Sequence, residues 1–132
     1  MMKSKLLMLL SAMLLLIASH SYAEDGYQIN TSTSSTFIKA YPLDNNQSLV
    51  IAEGRLEPRS IGTISIKLYA DLIVGDFIDG LIISRDGTIL SVVIDESESL
   101  QKITITTVTA GSGSYKNVHL VCISNNTLSL CK

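Results

Sequence analysis

The stretch Gly62-Thr63-Ile64-Ser65-Ile66-Lys67-Leu68-Tyr69 alternates apolar and polar side chains residue by residue. Ile64, Ile66 and Leu68 fall on one face of an extended chain, and Thr63, Ser65 and Lys67 on the other. A period of two over this length is the pattern of a β-strand with one buried face. Lys102 to Val108 begins the same way, with Ile103 and Ile105 inward. Val108 then breaks the parity, which predicts a bulge near Thr106-Thr107. Further strands are expected at Tyr27–Thr31, Thr36–Tyr41, Ser48–Glu53, Leu81–Ser84, Thr88–Ile94, Asn117–Ser124 and Thr127–Cys131. Asp44-Asn45-Asn46, Arg85-Asp86-Gly87 and Asn125-Asn126 carry turn chemistry between them. Asp71 to Asp79 fits either a short helical turn or an irregular crossover. Helical periodicity is nearly absent after Ala23, and β-branched Ile, Val and Thr are frequent, as suits a pleated, half-buried surface. These features predict a single all-β domain, an antiparallel β-sandwich of about eight strands.

The N-terminal residues have a different composition. Lys3 and Lys5 precede an apolar run of thirteen residues from Leu6 to Ala18, and small residues stand at Ser21 and Ala23. That order predicts a secretory signal peptide over residues 1–23, cleaved after Ala23. The run is short for a membrane span, and no Cys near the cleavage position points to a lipid anchor. The mature chain is then residues 24–132. Cleavage removes two of ten basic residues and none of twelve acidic ones, leaving a net charge of −4. Such a balance disfavours nucleic acid, whose phosphates require clustered Lys and Arg. It favours a basic protein partner, mainly through steering. The two cysteines, Cys122 and Cys131, are expected to form a disulfide in an oxidising compartment. A four-residue turn, Asn125 to Leu128, would set them directly opposite each other and is preferred here. A two-residue turn at Asn125-Asn126 would place them diagonally.

Chemistry-bearing patterns are sparse. His119, the one histidine of the mature chain, lies in Val118-His119-Leu120-Val121-Cys122, where a structural role is expected. No nucleophile elbow surrounds any serine, and Cys and His lack metal-ligand spacing. Neither metal nor cofactor is implied, and no enzyme activity is predicted. Asp95-Glu96-Ser97-Glu98-Ser99 is the densest acidic run. It could hold a hard cation such as calcium, but it lacks the glycine and spacing of a calcium loop and reads as an exposed turn. In Glu53 to Gly62, four charges surround Pro58, which predicts a structured, ion-paired turn leading into the next strand. The last distinctive segment is Thr109-Ala110-Gly111-Ser112-Gly113-Ser114-Tyr115, a small hydroxyl-bearing loop between two strands. Gly111 and Gly113 bracket Ser112 and admit φ values closed to other residues. A thin loop of this kind can enter a cleft and offer the Ser112 and Tyr115 hydroxyls, which both donate and accept.

Two of these stretches resemble the bacterial periplasmic inhibitors of invertebrate-type lysozyme. One is Ala110-Gly111-Ser112-Gly113-Ser114-Tyr115 after a strand. The other is Ala52-Glu53-Gly54, then Glu57-Pro58-Arg59-Ser60-Ile61-Gly62, leading into Ile64–Tyr69. Arg85-Asp86-Gly87-Thr88-Ile89 also fits that family's middle region. The likeness spans roughly residues 50–118. It implies a secreted β-sandwich, often dimeric, located in the periplasm. It further implies that the Ser/Tyr loop enters the lysozyme active site. A related group acting on c-type lysozymes uses a Ser-Gly-x-x-Tyr loop. One residue, not two, separates Gly113 from Tyr115 here, which argues for the invertebrate-type target. The acidic stretch Asp95–Ser99 departs from the family's expected turn.

The reading implied for the site is partner binding by Gly111, Ser112, Gly113, Ser114, Tyr115, Lys116 and Arg59. Lysozyme is the expected partner, and a homodimer is allowed. The alternative is an exported structural or surface-adhesion β-domain joined by strand addition. An enzyme acting on cell-wall sugar is the third reading.

Overall fold

The computed structural model describes residues 36–97 and 99–132. The expected signal peptide and the strand expected at residues 27–31 lie outside the described residues. Eight strands run in chain order: β1 (Ile38–Pro42), β2 (Ser48–Glu53), β3 (Ile61–Asp71), β4 (Asp76–Asp86), β5 (Thr88–Asp95), β6 (Gln101–Val108), β7 (Lys116–Ser124) and β8 (Thr127–Leu130). They form two four-stranded sheets, ordered β1-β2-β3-β4 and β5-β6-β7-β8. Every neighbouring pair is antiparallel. Each sheet is thus a simple meander, and the pair makes the expected all-β sandwich.

The alternation in β3 works as its side chains dictate. Ile64, Ile66 and Leu68 are fully buried, while Lys67 is exposed. They meet Leu49 and Ile51 of β2 and Ile103, Ile105, Val121 and Ile123 of the second sheet in one core. Burying a side chain of this size contributes about 2 kcal/mol each, so the two inner faces hold the sheets together. Polar ties reinforce them. The Leu128 N–H donates to Asp79 Oδ2 at 2.7 Å, and the Gln47 side-chain amide donates to Asn126 Oδ1 at 2.9 Å. The carboxylate of Glu96 accepts the Asp44 N–H.

One residue carries the chain from sheet to sheet. β4 ends at Asp86 and β5 begins at Thr88, so Gly87 alone makes the crossing, with φ of 82°. A Cβ there would lie 1.9 Å from the Val108 carbonyl oxygen and 2.7 Å from Thr109 Cα. Only glycine combines that φ with so close an approach of two backbones.

Several expectations are corrected. Asp71–Asp79 is neither a helical turn nor a crossover but the tip of the β3–β4 hairpin, with Leu72 to Gly75 as the turn. The Asp71 carboxylate accepts the Ile73 N–H at 2.8 Å, and Gly75 takes φ of 74°. β4 is longer than the expected Leu81–Ser84. Asp79 and Arg85, set in alternation with Leu81 and Ile83, are polar and interrupt the apolar pattern. The bulge is on the partner strand: the register shifts between Ile89 and Ser91, leaving Leu90 as the extra residue. β6 keeps its parity, because Thr107 is fully buried and continues the face of Ile103 and Ile105. The last turn has two residues. Ser124 pairs with Thr127, and Asn125 and Asn126 take φ of 48° and 61°. Both central residues lie in the left-handed region that the tightest hairpin turns demand and that asparagine tolerates. Cys122 therefore faces Ser129, and its bond to Cys131 is diagonal, with the Cα atoms 5.1 Å apart.

Candidate functional site

Strand directions bring three segments to one end of the sandwich: the β2–β3 connection (residues 54–60), the Gly87 crossing, and the β6–β7 loop (residues 109–115). Arg85 binds the first two together. It is buried, with 3% of its surface exposed. Its Nε donates to the Thr63 carbonyl at 3.1 Å, Nη1 to the carbonyls of Arg59 (3.1 Å) and Gly87, and Nη2 to that of Pro58 at 3.0 Å. Glu57 Oε2 lies 3.6 Å from Nη2, an ion pair rather than a hydrogen bond. The planar guanidinium supplies several donors in a fixed fork, which suits it to several carbonyls at once. The expected ion-paired turn is thus present, but the arginine comes from β4. Buried Glu53 makes a second tie, accepting the Ile89 N–H at 2.5 Å and the Phe37 N–H at 3.4 Å.

The β6–β7 loop projects from this base. Residues 110–118 are all exposed, and Tyr115 keeps 72% of its surface. The Thr109 N–H donates to the Tyr115 carbonyl at 2.9 Å, and the Tyr115 N–H donates to Thr109 Oγ1 at 3.0 Å. Within the loop, the Ser114 N–H points to the Gly111 carbonyl at 3.4 Å, which puts Ser112 and Gly113 at the apex of a turn. Neither the Ser112 hydroxyl nor the Tyr115 phenol has a hydrogen-bond partner among the described residues.

The glycines act differently from expectation. Neither Gly111 nor Gly113 has positive φ; Ser114 does, at 47°. Gly113 instead lets the Tyr115 ring lie close, since a Cβ there would come 2.2 Å from Tyr115 Cε2 and the ring would have to shift. Around Gly111 there is open space. Lys116 is the first residue of β7, pairs with Val108 and is exposed. Arg59 is exposed at the neighbouring segment, with its backbone carbonyl held by Arg85. The structure therefore brings the segments of all seven residues to one end.

Elsewhere the polar groups serve the fold. The Asp95 carboxylate accepts the Ser97 hydroxyl and N–H, and these bonds lower its pKa. Glu96 is occupied by Asp44 and Gln101. His119 lies opposite Ile105 on β7, and its Nε2 is buried without a hydrogen-bond partner among the described residues. A polar groove of about 610 Å³ lies at the opposite end, lined by Gln47, Glu96, Gln101 and Asn126 among others. The Ser112 loop is therefore a projection rather than part of that concavity.

A family model described as periplasmic lysozyme inhibitor of I-type lysozyme matches residues 35–132. The chain belongs to this family. The match extends past the stretch of likeness read from the sequence and takes in the disulfide hairpin. The crystal structure of the Aeromonas hydrophila periplasmic inhibitor of I-type lysozyme is similar at 28% identity and a TM-score of 0.63, covering 71% of this chain and 84% of that one. The Aeromonas hydrophila inhibitor in complex with Meretrix lusoria lysozyme is similar at 28% identity and a TM-score of 0.61, covering 72% and 81%. No curated protein matches the chain.

For a member of the periplasmic I-type lysozyme inhibitors, the informative residues missed from the sequence are those behind the loop. Arg85 and Gly87 read as turn chemistry, although they tie the loop's base to the neighbouring connection. Thr109 reads as the first residue of the loop, with no role given to its side chain. A hydroxyl directly after the strand, two residues before Gly111, was its available signal.

Proposed function

We propose that this chain is an exported inhibitor of I-type lysozyme that acts by inserting Ser112-Gly113-Ser114-Tyr115 into the enzyme's active-site cleft. The observation that carries this reading is an exposed loop, anchored at both ends, whose Ser112 and Tyr115 hydroxyls are unengaged. Membership of an inhibitor family supports the target, as does the Aeromonas hydrophila relative crystallised with a lysozyme.

The mechanism requires occupancy and no catalysis by this protein. Glycoside hydrolysis proceeds between two carboxyl groups, one protonated and one ionised. An occupant that excludes water must satisfy both, because a buried charge without partners is costly. The Ser112 hydroxyl donates to the ionised carboxylate or accepts from the protonated acid. The Tyr115 hydroxyl supplies the second contact, and its ring fills a sugar subsite. Lys116 and Arg59 pair with acidic groups at the cleft rim. The loop keeps its shape between β6 and β7, so little conformational freedom is lost on docking.

The test is inhibition of I-type, chicken-type and goose-type lysozymes by the mature protein and by Ser112→Ala combined with Tyr115→Phe. At about 1 kcal/mol per hydrogen bond, the double variant should inhibit the I-type enzyme at least tenfold more weakly. Undiminished inhibition by the double variant removes the loop's role. A wild-type protein inert toward the I-type enzyme removes the function.

A further inference from the structure

We propose that Thr109 is a positioning residue for the inhibitory loop, and that its side-chain hydroxyl, acting beside its backbone N–H, fixes Tyr115 and through it the loop that carries Ser112. The inference rests on the loop-insertion reading and adds a residue that does not itself face the cleft.

The argument starts from the ladder between β6 and β7. Their last pair is Val108 with Lys116. In an antiparallel sheet, two opposed residues that bond to each other exchange both N–H···O=C bonds. At the next position Thr109 and Tyr115 make half of that exchange: the Thr109 N–H reaches the Tyr115 carbonyl at 2.9 Å. The return bond goes elsewhere. The Tyr115 N–H is taken by Thr109 Oγ1 at 3.0 Å. The side chain has replaced the backbone acceptor, so the two strands splay here while the Tyr115 amide stays satisfied. The role needs a short side chain with an acceptor oxygen, which Thr or Ser supplies and isosteric Val does not.

The position of this clamp gives it consequence. Tyr115 is a proposed contact residue, and the hydroxyl fixes its backbone directly. Its ring lies against Gly113, and Ser114 between them holds φ of 47°. That conformation is costly for a non-glycine residue unless its surroundings impose it. On the other side, Thr109 Cα packs on the Gly87 crossing, at a distance that admits no Cβ. The hydroxyl therefore links the residue packed on the Gly87 crossing to the C-terminal end of the loop. Without it the Tyr115 amide turns to solvent, and the loop must be ordered when it docks. Ordering at that stage weakens binding without altering any contact.

Three variants of the full mature protein test this: Thr109→Val, Thr109→Ser, and Ser112→Ala with Tyr115→Phe. Each is measured for inhibition of an I-type lysozyme, thermal midpoint and hydrogen exchange at the Tyr115 amide. The expected result is about tenfold weaker inhibition for Thr109→Val. Its Tyr115 amide should exchange at least tenfold faster, with the thermal midpoint within a few degrees of wild type. Thr109→Ser should restore both inhibition and protection. Wild-type inhibition by Thr109→Val, or a Thr109→Ser variant as impaired as Thr109→Val, overturns the proposal. If the Ser112/Tyr115 double variant also inhibits normally, the loop-insertion reading has failed. In that case Tyr115 protection still decides whether the clamp exists.

Discussion

Thr63 holds both oxygens of the Glu57 carboxylate. Its N–H donates to Oε2 at 2.6 Å and its hydroxyl to Oε1 at 2.8 Å. These bonds, with a smaller contribution from Arg85, lower the Glu57 pKa from its ordinary 4.5. A carboxyl group with a depressed native pKa stabilises the fold fully above its unfolded pKa, and that stability is lost as pH falls through the native value. The thermal midpoint of the wild type should therefore exceed that of Glu57→Gln at neutral pH. The gap should narrow steadily below pH 4.5 and close in stronger acid. Melting curves of both proteins across this range check it, and a gap independent of pH would count against the assigned partners.

Arg85 should be among the most sensitive positions in the domain. Four backbone carbonyls and Glu57 converge on one buried guanidinium. Arg85→Met removes the side-chain donor from the carbonyls of Pro58, Arg59 and Gly87 and the positive charge beside Glu57, and is expected to cost about 3 kcal/mol. Arg85→Lys cannot reproduce the planar fork and should recover only a part. Denaturant titration gives both values.

Gly87 and Gly111 should respond oppositely to alanine. At Gly87 the new methyl meets backbone atoms of Val108 and Thr109 at a positive φ, whereas at Gly111 it meets open space. Gly87→Ala is expected to destabilise by more than about 2 kcal/mol. Gly111→Ala should leave stability within about 0.5 kcal/mol of wild type. Thermal or chemical unfolding of the pair separates the two effects.

The Cys122–Cys131 bond closes a short loop on a two-residue hairpin. Replacing both cysteines by serine should cost about 2–3 kcal/mol on the chain-entropy account. That corresponds to a fall in the thermal midpoint of about 10 °C or more in a domain of this size. Inhibition at 25 °C should persist, because the Ser112 loop is anchored by β6, β7 and Thr109 rather than by this hairpin. An inhibition assay beside the melting curve distinguishes loss of stability from loss of site.

Local pattern carried most strand positions. Ser48–Glu53 is a strand over the expected residues, and the alternation in β3 places Ile64, Ile66 and Leu68 in the core. It failed where an inward position is polar. Asp79 and Arg85 shorten the apparent β4 because their hydrogen-bond partners lie far away in sequence, at Leu128 and in residues 58–63. Thr107 misled differently: a hydroxyl on the core face looks like a break in parity. The loop's residues were legible as a group, but the causes of its shape were not. Strain sits on Ser114 rather than on either flanking glycine, and closure depends on Thr109.

By itself the amino-acid sequence determined that the chain folds as strands with one buried face, that its cysteines form one bond, and that a Gly/Ser/Tyr tip separates two of the strands. Those properties depend on neighbours a few residues away, so periodicity and composition suffice to reveal them. Tertiary structure alone decided the register of the last hairpin, the one-residue passage between sheets at Gly87, and the placing of residues 54–60 and the Ser112 loop at one end of the sandwich. Each is settled by contacts between segments tens of residues apart, where backbone approach and buried hydrogen bonds select one arrangement among several that local preferences allow.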